Sequence, residues 1–509
     1  MFVNVFNFAY PHEDHLDALE LIPLFCQQMT VYLSFILLFF FFLTILLVRS
    51  NISTDKFSSL FGYIKIFNIL TLTLIFTITV IKFFLYLWNF KIYSFYKSSF
   101  EWMSLNFEYL PYNPTFDLNA SSFSDVIILL AFSSGIVCIH LLGEKNLVNN
   151  LPNVTIFSGF LVSIIIMVYT CNILVMFIGF EFLFLPTLYF VYHHGYVERV
   201  DKTLKILLYW TLFGAFLVFS SIAYMYSKYK ILNFYNLSYC EFSFFEKSVL
   251  CLLIFLGFGV KVPVFPFHYW LTKIHVEAPA GFSIFLSGFL VKAAIYCFYY
   301  FNILLNFSFL TTLTSVVAII GVVEASIKMW TQTDFKKLIA FATIQEMNLI
   351  LFLLLNYQNL LEYSLLLFIL IHGWLSTLMF FLVDIIQKKT FSRNIVSIGG
   401  IAYSFPELKF IIWFVILMFS GFPLTVKFLI EWQIFGNLML QSKLLYMFIF
   451  LCVVAIGVIG FAKQLIIVLY GFPRHVVSKN YIMSKRDKYL FYFIILILLI
   501  LSFINYFLG

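Results

Sequence analysis

Four ionisable residues stand where this sequence offers them no water. Glu181 interrupts the run "FIGFEFLFLP" and Lys261 closes the apolar part of "LIFLGFGVKVPVFP". Lys292 lies inside "FLVKAAIY", and Glu431 ends "GFPLTVKFLIEW". An ionised side chain at the centre of a bilayer costs about 2.5–3.5 kcal/mol even on the most lenient insertion scale, so keeping four of them calls for a use. Carboxylates and amines exchange protons without any cofactor. At an effective dielectric of ~20 and a separation of ~7 Å, a carboxylate and an ammonium interact by roughly 2.4 kcal/mol. A change of that size decides whether a buried lysine keeps its proton or gives it up. The competing reading is a static ion pair that only fixes helix packing. It suits one isolated pair better than four deep groups on four separate helices.

Such residues need elements to hold them in the membrane. The chain has 509 residues, of which 63% are hydrophobic and only 11% charged. Soluble domains carry roughly 25% charged residues, so the composition describes an all-α polytopic membrane protein. A span requires about 20 apolar residues, and backbone groups in lipid must pair internally, which makes the spans helices. Fourteen candidates fit, near 29–48, 63–88, 124–143, 155–171, 173–192, 205–226 and 248–266 in the first half. The second half supplies 281–302, 307–329, 338–356, 363–385, 410–432, 444–470 and 489–507. Lys and Arg gather on the cytoplasmic or matrix side of a membrane. Here the loops after odd-numbered spans hold 19 of them and the opposite set 6. That asymmetry supports fourteen crossings with both termini on the outer side. The net charge of +7 is thereby a matter of orientation, and no nucleic-acid partner is expected.

Pro263 and Pro266 follow Lys261, and Gly421 and Pro423 lie within the twelfth span. Proline removes a backbone donor and breaks a helix, and interrupted helices at matching places in two halves mark inverted-repeat transport sites. The expected organisation is residues 1–154 as three helices with an outer loop, 155–302 as a first five-helix repeat and 303–470 as a second, inverted one. Residues 471–509 then form a basic loop and a final helix. This places Lys261 opposite the end that contains Glu431, and Lys292 opposite Lys463. Carbonyls freed at a break are expected to hold water.

Other signals carry less. Cys138, Cys171, Cys251, Cys297 and Cys452 lie in or beside apolar runs without metal-ligand spacing, and read as small hydrophobes. His268, His275 and Glu277 lack a further ligand at suitable spacing, so no metal is expected and the two histidines read as caps for the loop after the break. "LGFGVK" sits in a spanning run with no βαβ pattern, which excludes a dinucleotide loop. Lys82 and Lys328 lie near enough to span ends to reach the headgroups. The aromatic 89–123 loop suits contact with a neighbour. With 69 phenylalanines, the codon usage implied is AT-rich, as in an organellar genome. The acidic N-terminus fits neither a signal peptide nor a presequence.

The segment "VKVPVFPFHYWLTKIHVEAPAGFSIFLSGFLVKAAIY" resembles the central signature of the chain 4 family of NADH–ubiquinone oxidoreductase, an antiporter-like membrane subunit of respiratory complex I. "QTDFKKLIAFATIQEM", "LIHGWLSTLMFF" and "GFPLTVKFLIEW" are similar to three further signatures in the family's order. "HVEAPAGFS" replaces the stretch found in chain 5 relatives, and the chain stops at Gly509 where those add a lateral helix. The resemblance implies a proton channel in the mitochondrial inner membrane, with both termini on the intermembrane-space side. Glu181 would modulate Lys261, Lys292 would relay the proton, and Glu431 would exchange it with the outer side. His372 would bridge the relay through water. The resemblance further implies no cofactor in this chain, with flavin, iron–sulfur clusters and ubiquinone in partner subunits. The implied neighbours are chains 2 and 5 of the same complex and lipids such as cardiolipin. A stand-alone or multi-subunit cation/proton antiporter is the alternative. Four positions depart from the family. Gln345–Glu346 replaces a Ser-His pair, so Glu346 joins the relay or alters its electrostatics. Lys427 stands where asparagine is common, one turn from Glu431, and is expected to pair with it. Thr272 replaces a proline.

Overall fold

Apolar runs of this length have one way to satisfy their backbone in lipid, and the chain takes it. The computed structural model describes residues 122–142, 151–195, 197–305, 310–356, 362–423, 425–440, 444–472 and 485–508. Among them every regular element is helical. The first two expected spans and nearly all of the 89–123 loop lie outside the described residues, as do residues 473–484 of the basic loop.

The third expected span is α1 (Ser122–Leu142) and the fourth α2 (Leu151–Tyr169). The fifth is a pair, α3 (Ile173–Phe182) and α4 (Phe184–His194), and the sixth is α5 (Val197–Tyr229). After the short α6 (Phe234–Ser238), the seventh span divides into α7 (Phe244–Lys261) and α8 (Tyr269–Glu277). The eighth comprises α9 (Ala280–Phe285), a π-helical turn at Leu286–Leu290, and α10 (Val291–Leu305). Then come α11 (Thr311–Thr331), α12 (Phe335–Asn356) and α13 (Glu362–Thr390). Two short turns, α14 (Ile395–Ile398) and α15 (Ile401–Ser404), lead into the twelfth span. That span is broken into α16 (Pro406–Phe419) and α17 (Val426–Leu440). The last two are α18 (Leu444–Tyr470) and α19 (Lys485–Leu508).

Chemistry at the helix ends explains the boundaries. The joint at Cys171–Asn172 is sharp because the Asn172 side chain accepts from the amides of Leu174 and Val175 and starts a new helix. Ser243 and Glu246 form a reciprocal capping box ahead of the seventh span, the arrangement that satisfies two otherwise unpaired amides. Asp334 accepts from Lys336 and Lys337, and Asn394 from Val396.

Two backbone clasps repeat one design. Ile173 donates to Leu232 at 3.0 Å and Phe234 to Cys171 at 2.9 Å. In the second half, Phe335 donates to Arg393 at 2.9 Å and Ile395 to Thr333 at 2.8 Å. Each clasp is an antiparallel bridge between two capping residues, Asn172 with Asn233 and Asp334 with Asn394. Five crossings separate the two clasps, an odd number, so they lie at opposite ends of the bundle. An inverted repeat requires that placement.

The middle of the bundle is three helices buried throughout their spanning windows, Ala280–Leu305, Phe335–Asn356 and Leu365–Thr390, whereas Arg199–Tyr229 is only 33% buried. Small residues allow the close approach. A Cβ on Gly373 would come within 2.3 Å of Leu130 Cδ2 and 3.1 Å of the Gly288 carbonyl oxygen. Helices that pack in lipid use such residues where their backbones nearly touch. Cys138, Cys171, Cys251 and Cys297 are buried and unoxidised, while Cys452 is only partly covered.

The clasps yield a stability test. Asn172→Ala removes one cap, worth about 1 kcal/mol. Asp334→Ala removes a cap together with the 2.9 Å ion pair to Arg393. The second variant is expected to melt earlier than the first in thermal unfolding followed by tryptophan fluorescence. Equal midpoints would mean that the Arg393 pair contributes nothing.

Candidate proton-exchange site

Each broken helix presents a lysine beside its break. Lys261 is the last residue of α7 and is 1% exposed, and its Nζ donates to Oε1 of Glu181 on α3. The ammonium also lies 4.4 Å from the ring centre of Phe180 and 4.5 Å from that of Phe184, which adds cation–π attraction. Glu181 keeps 27% of its side chain accessible, so the pair has a dry side and an open one.

At the break beside Lys261, two carbonyls accept from protein side chains. Trp270 Nε1 donates to the Val260 carbonyl at 2.6 Å, and Asn348 Nδ2 to that of Pro263 at 3.2 Å. A buried carbonyl must find a donor, and here packing brings two within reach. Thr272, in place of the family's proline, donates to the Tyr269 carbonyl at 3.0 Å within α8.

Lys292 is fully buried at the start of α10, and its Nζ donates to the Ser287 carbonyl. The π turn immediately before it supplies that acceptor. A widened turn disrupts the ordinary ladder and is frequent at functional positions. Lys292 interacts electrostatically with Glu346. His372, buried on α13, interacts with both Lys292 and Lys427. Neither of its ring nitrogens meets a protein donor or acceptor.

The second half gathers three charges. Lys427 on α17 and Glu346 on α12 are each 2% exposed and meet at 2.5 Å. Lys427 also donates to the Phe419 carbonyl at 2.6 Å, and its Nζ lies 4.2 Å from that ring's centre. Glu431 Oε1 is farther away, 3.7 Å. The expected Lys427–Glu431 pair is therefore the secondary contact. A helix turn sets the reach of that contact, whereas Glu346 meets the ammonium from a separate helix, α12. Glu431 rests against Gly421, where a Cβ would fall 2.6 Å from Oε2 and the backbone φ is +63°. The positive φ favours glycine there, and a larger residue would displace the Glu431 carboxylate.

Some residues are not brought together. No hydrogen bond or ion pair links Lys261 to Lys292. Lys463 is exposed, with its Nζ 5.2 Å from the Trp330 ring centre, so its burial does not mirror that of Lys292. Lys328 pairs with Glu324 one turn away, and the same carboxylate lies 3.7 Å from His268 Nε2. His268 makes no side-chain cap, and His275 stacks on Phe380 at 4.7 Å with both ring nitrogens unpartnered. Neither histidine caps the loop. Sequence reasoning missed the Ser287 carbonyl and the Glu346–Lys427 pair. The two charges were visible, but their meeting across 81 residues was not.

Buried ion pairs beside broken helices in an inverted-repeat bundle define an antiporter-like membrane protein. Residues 170–457 match the family described as "NADH:quinone oxidoreductase/Mrp antiporter, TM", and the chain belongs to it. It is 34% identical over 414 residues to NADH-ubiquinone oxidoreductase chain 4 of Paramecium tetraurelia, covering 81% of this chain and 87% of that one. Among solved structures, a chain of the membrane-bound sulfane sulfur reductase, an archaeal respiratory membrane complex, superimposes with a TM-score of 0.75. It covers 94% of this chain and 96% of the other at 17% identity. The Mrp complex from Dietzia sp. DQ12-45-1b gives 0.64 over 70% and 68%, at 14% identity.

The Glu181–Lys261 geometry predicts strong coupling. Glu181→Gln leaves a buried ammonium without its counter-charge, a loss of about 3–5 kcal/mol. Adding Lys261→Met to Glu181→Gln removes the stranded charge and is expected to recover most of that stability in a double-mutant thermal unfolding cycle. Additive losses would show that the pair does not act as one unit.

Proposed function

We propose that this chain is a proton-translocating subunit of the membrane arm of respiratory complex I. The observation that carries the reading is the row of buried titratable groups on the broken and central helices. Glu181 modulates the proton affinity of Lys261, and Lys292 and His372 pass the proton along the middle of the bundle. Glu346 receives it in the second half, and Glu431 exchanges it with the outer side. The repeats are residues 155–302 and 303–470, preceded by residues 1–154 and followed by 471–509. The matching clasps and the two broken helices support that division.

The flavin, the iron–sulfur clusters and ubiquinone belong to partner subunits, and NADH oxidation there drives the pump. The residues present here suit proton transfer. The chain sits in the mitochondrial inner membrane beside chains 2 and 5 of the complex, in contact with lipid, with both termini toward the intermembrane space. The distribution of Lys and Arg in the loops supports that orientation. The relative in Paramecium tetraurelia is a chain 4 of NADH-ubiquinone oxidoreductase, and the match covers 87% of it, which supports this reading.

Lys261→Met in the intact complex, reconstituted in proteoliposomes, is expected to lower the ratio of protons moved to electrons transferred. An unchanged ratio and unchanged turnover would instead make the chain a structural spacer. On native gels the chain is expected to migrate with flavin and iron. Migration without them would favour an independent antiporter.

A further inference from the structure

The unusual feature of the second half is an ammonium with two carboxylates. Lys427 Nζ lies 2.5 Å from Glu346 Oε1 and 3.7 Å from Glu431 Oε1. A good ammonium–carboxylate hydrogen bond measures ~2.7–2.9 Å, so the second contact is about one ångström too long. Glu346 and Lys427 are buried and Glu431 keeps 17% of its side chain accessible, while two carboxylate oxygens, Glu346 Oε2 and Glu431 Oε1, are buried with no donor. Lys292 also acts on Glu346 electrostatically but forms no ion pair with either carboxylate among the described residues, so one ammonium in direct contact faces two negative charges. In this environment the cluster is neutral only when one carboxyl group carries a proton. With Lys427 seated on Glu346, that group is Glu431.

We propose that Lys427 is a mobile counter-charge that moves between Glu346 and Glu431 and so ejects a proton from Glu431 each time Glu346 receives one. The step balances simply. A proton reaching Glu346 from the centre converts the carboxylate to the neutral acid and weakens its hold on the ammonium. Lys427 then closes the remaining distance to Glu431, and Glu431 loses its proton to the outer side. Lys427 keeps its own proton throughout. One proton enters the cluster, one leaves, and its net charge is unchanged. The cycle resets when the proton on Glu346 passes to Glu431, which restores the Glu346 carboxylate and draws the ammonium back to it.

The surroundings suit a small movement of the lysine. Its third anchor, the Phe419 carbonyl at 2.6 Å, belongs to the end of α16 and sits at the break itself. The Phe419 ring supports the ammonium with no fixed direction. Glu431 lies one helical turn from Lys427 on the same α17 face, so the lysine reaches it by side-chain rotation alone. Its counterpart in the first half, Lys261, has a single carboxylate partner. The correspondence is one of helices and not of register: Lys427 follows its break, whereas Lys261 precedes its own. Lys427 acts here as a positioning residue, and the proton-bearing groups are Glu346 and Glu431.

This inference rests on the reading that protons leave through Glu431, and its test separates the two. In the reconstituted complex, infrared difference spectroscopy is expected to show a protonated carboxyl band that Glu431→Gln removes. Glu346→Gln should also remove it, because Lys427 is then free to settle on Glu431 and ionise it. Persistence of the band in Glu346→Gln overturns the proposal. The neutral double variant Glu346→Gln with Lys427→Gln strands no charge and keeps the volume of the site. It is expected to lose proton output, lowering the proton-to-electron ratio relative to the native complex. A native ratio in the double variant would mean that the pair only fills space. If Lys261→Met lowers the ratio while the double variant does not, the counter-charge falls and the pumping role stands.

Discussion

The constraint that shapes this protein is the cost of an unneutralised charge in hydrocarbon. Each buried ammonium is met by an acceptor supplied from another element or from a deformed turn of its own. Lys261 has Glu181, Lys292 has the Ser287 carbonyl, and Lys427 has Glu346 and the Phe419 carbonyl. Breaking a buried pair is strongly destabilising, by about 3–5 kcal/mol, so these contacts fix helix positions as well as chemistry. Lys292 and Glu346 also lie on two of the helices that are buried throughout. The charge requirement and the packing requirement therefore fall on the same residues, and neither can change alone. Glu346 and Lys427 illustrate this: replacing either one leaves the other as a buried charge without its counter-charge.

Breaks in the helices serve the same requirement. An intact helix satisfies its own carbonyls and offers none to a lysine. At the seventh span two freed carbonyls accept from Trp270 and Asn348, and Lys261 pairs with its carboxylate. At the twelfth, Phe419 gives its carbonyl to Lys427. The breaks thus differ in what they do although they occupy matching helices. One is closed by side chains and the other is open to the ammonium.

The spans were legible in the sequence because water-avoiding runs of ~20 residues have few alternatives in a membrane. The third to fourteenth spans all coincide with helices, and both breaks fall where Pro and Gly placed them. The charged residues were legible because each is an exception in its surroundings. Their partners were not. Lys261 and Glu181 lie 80 residues apart, and Lys427 and Glu346 lie 81 apart. Helical periodicity finds neighbours three or four residues away and therefore favoured Glu431 for Lys427. The clasps were hidden for the same reason: Asn172 and Asp334 look like ordinary caps until Asn233 and Asn394 arrive opposite them. The π turn leaves no mark in composition, since a slipped hydrogen bond needs no special residue.

That slipped turn has a rotational meaning. An α-helix advances about 100° per residue, and a π turn accommodates an extra residue within its wider loop. Everything downstream of Leu286–Leu290 is therefore turned about its axis relative to a regular continuation of α9. Tyr296, whose hydroxyl reaches the Val168 carbonyl at 2.9 Å, and Lys292 owe their bearings to that offset. Should the bulge ever migrate along the helix, it would swing the ammonium like a key in a lock without lengthening the path through the membrane.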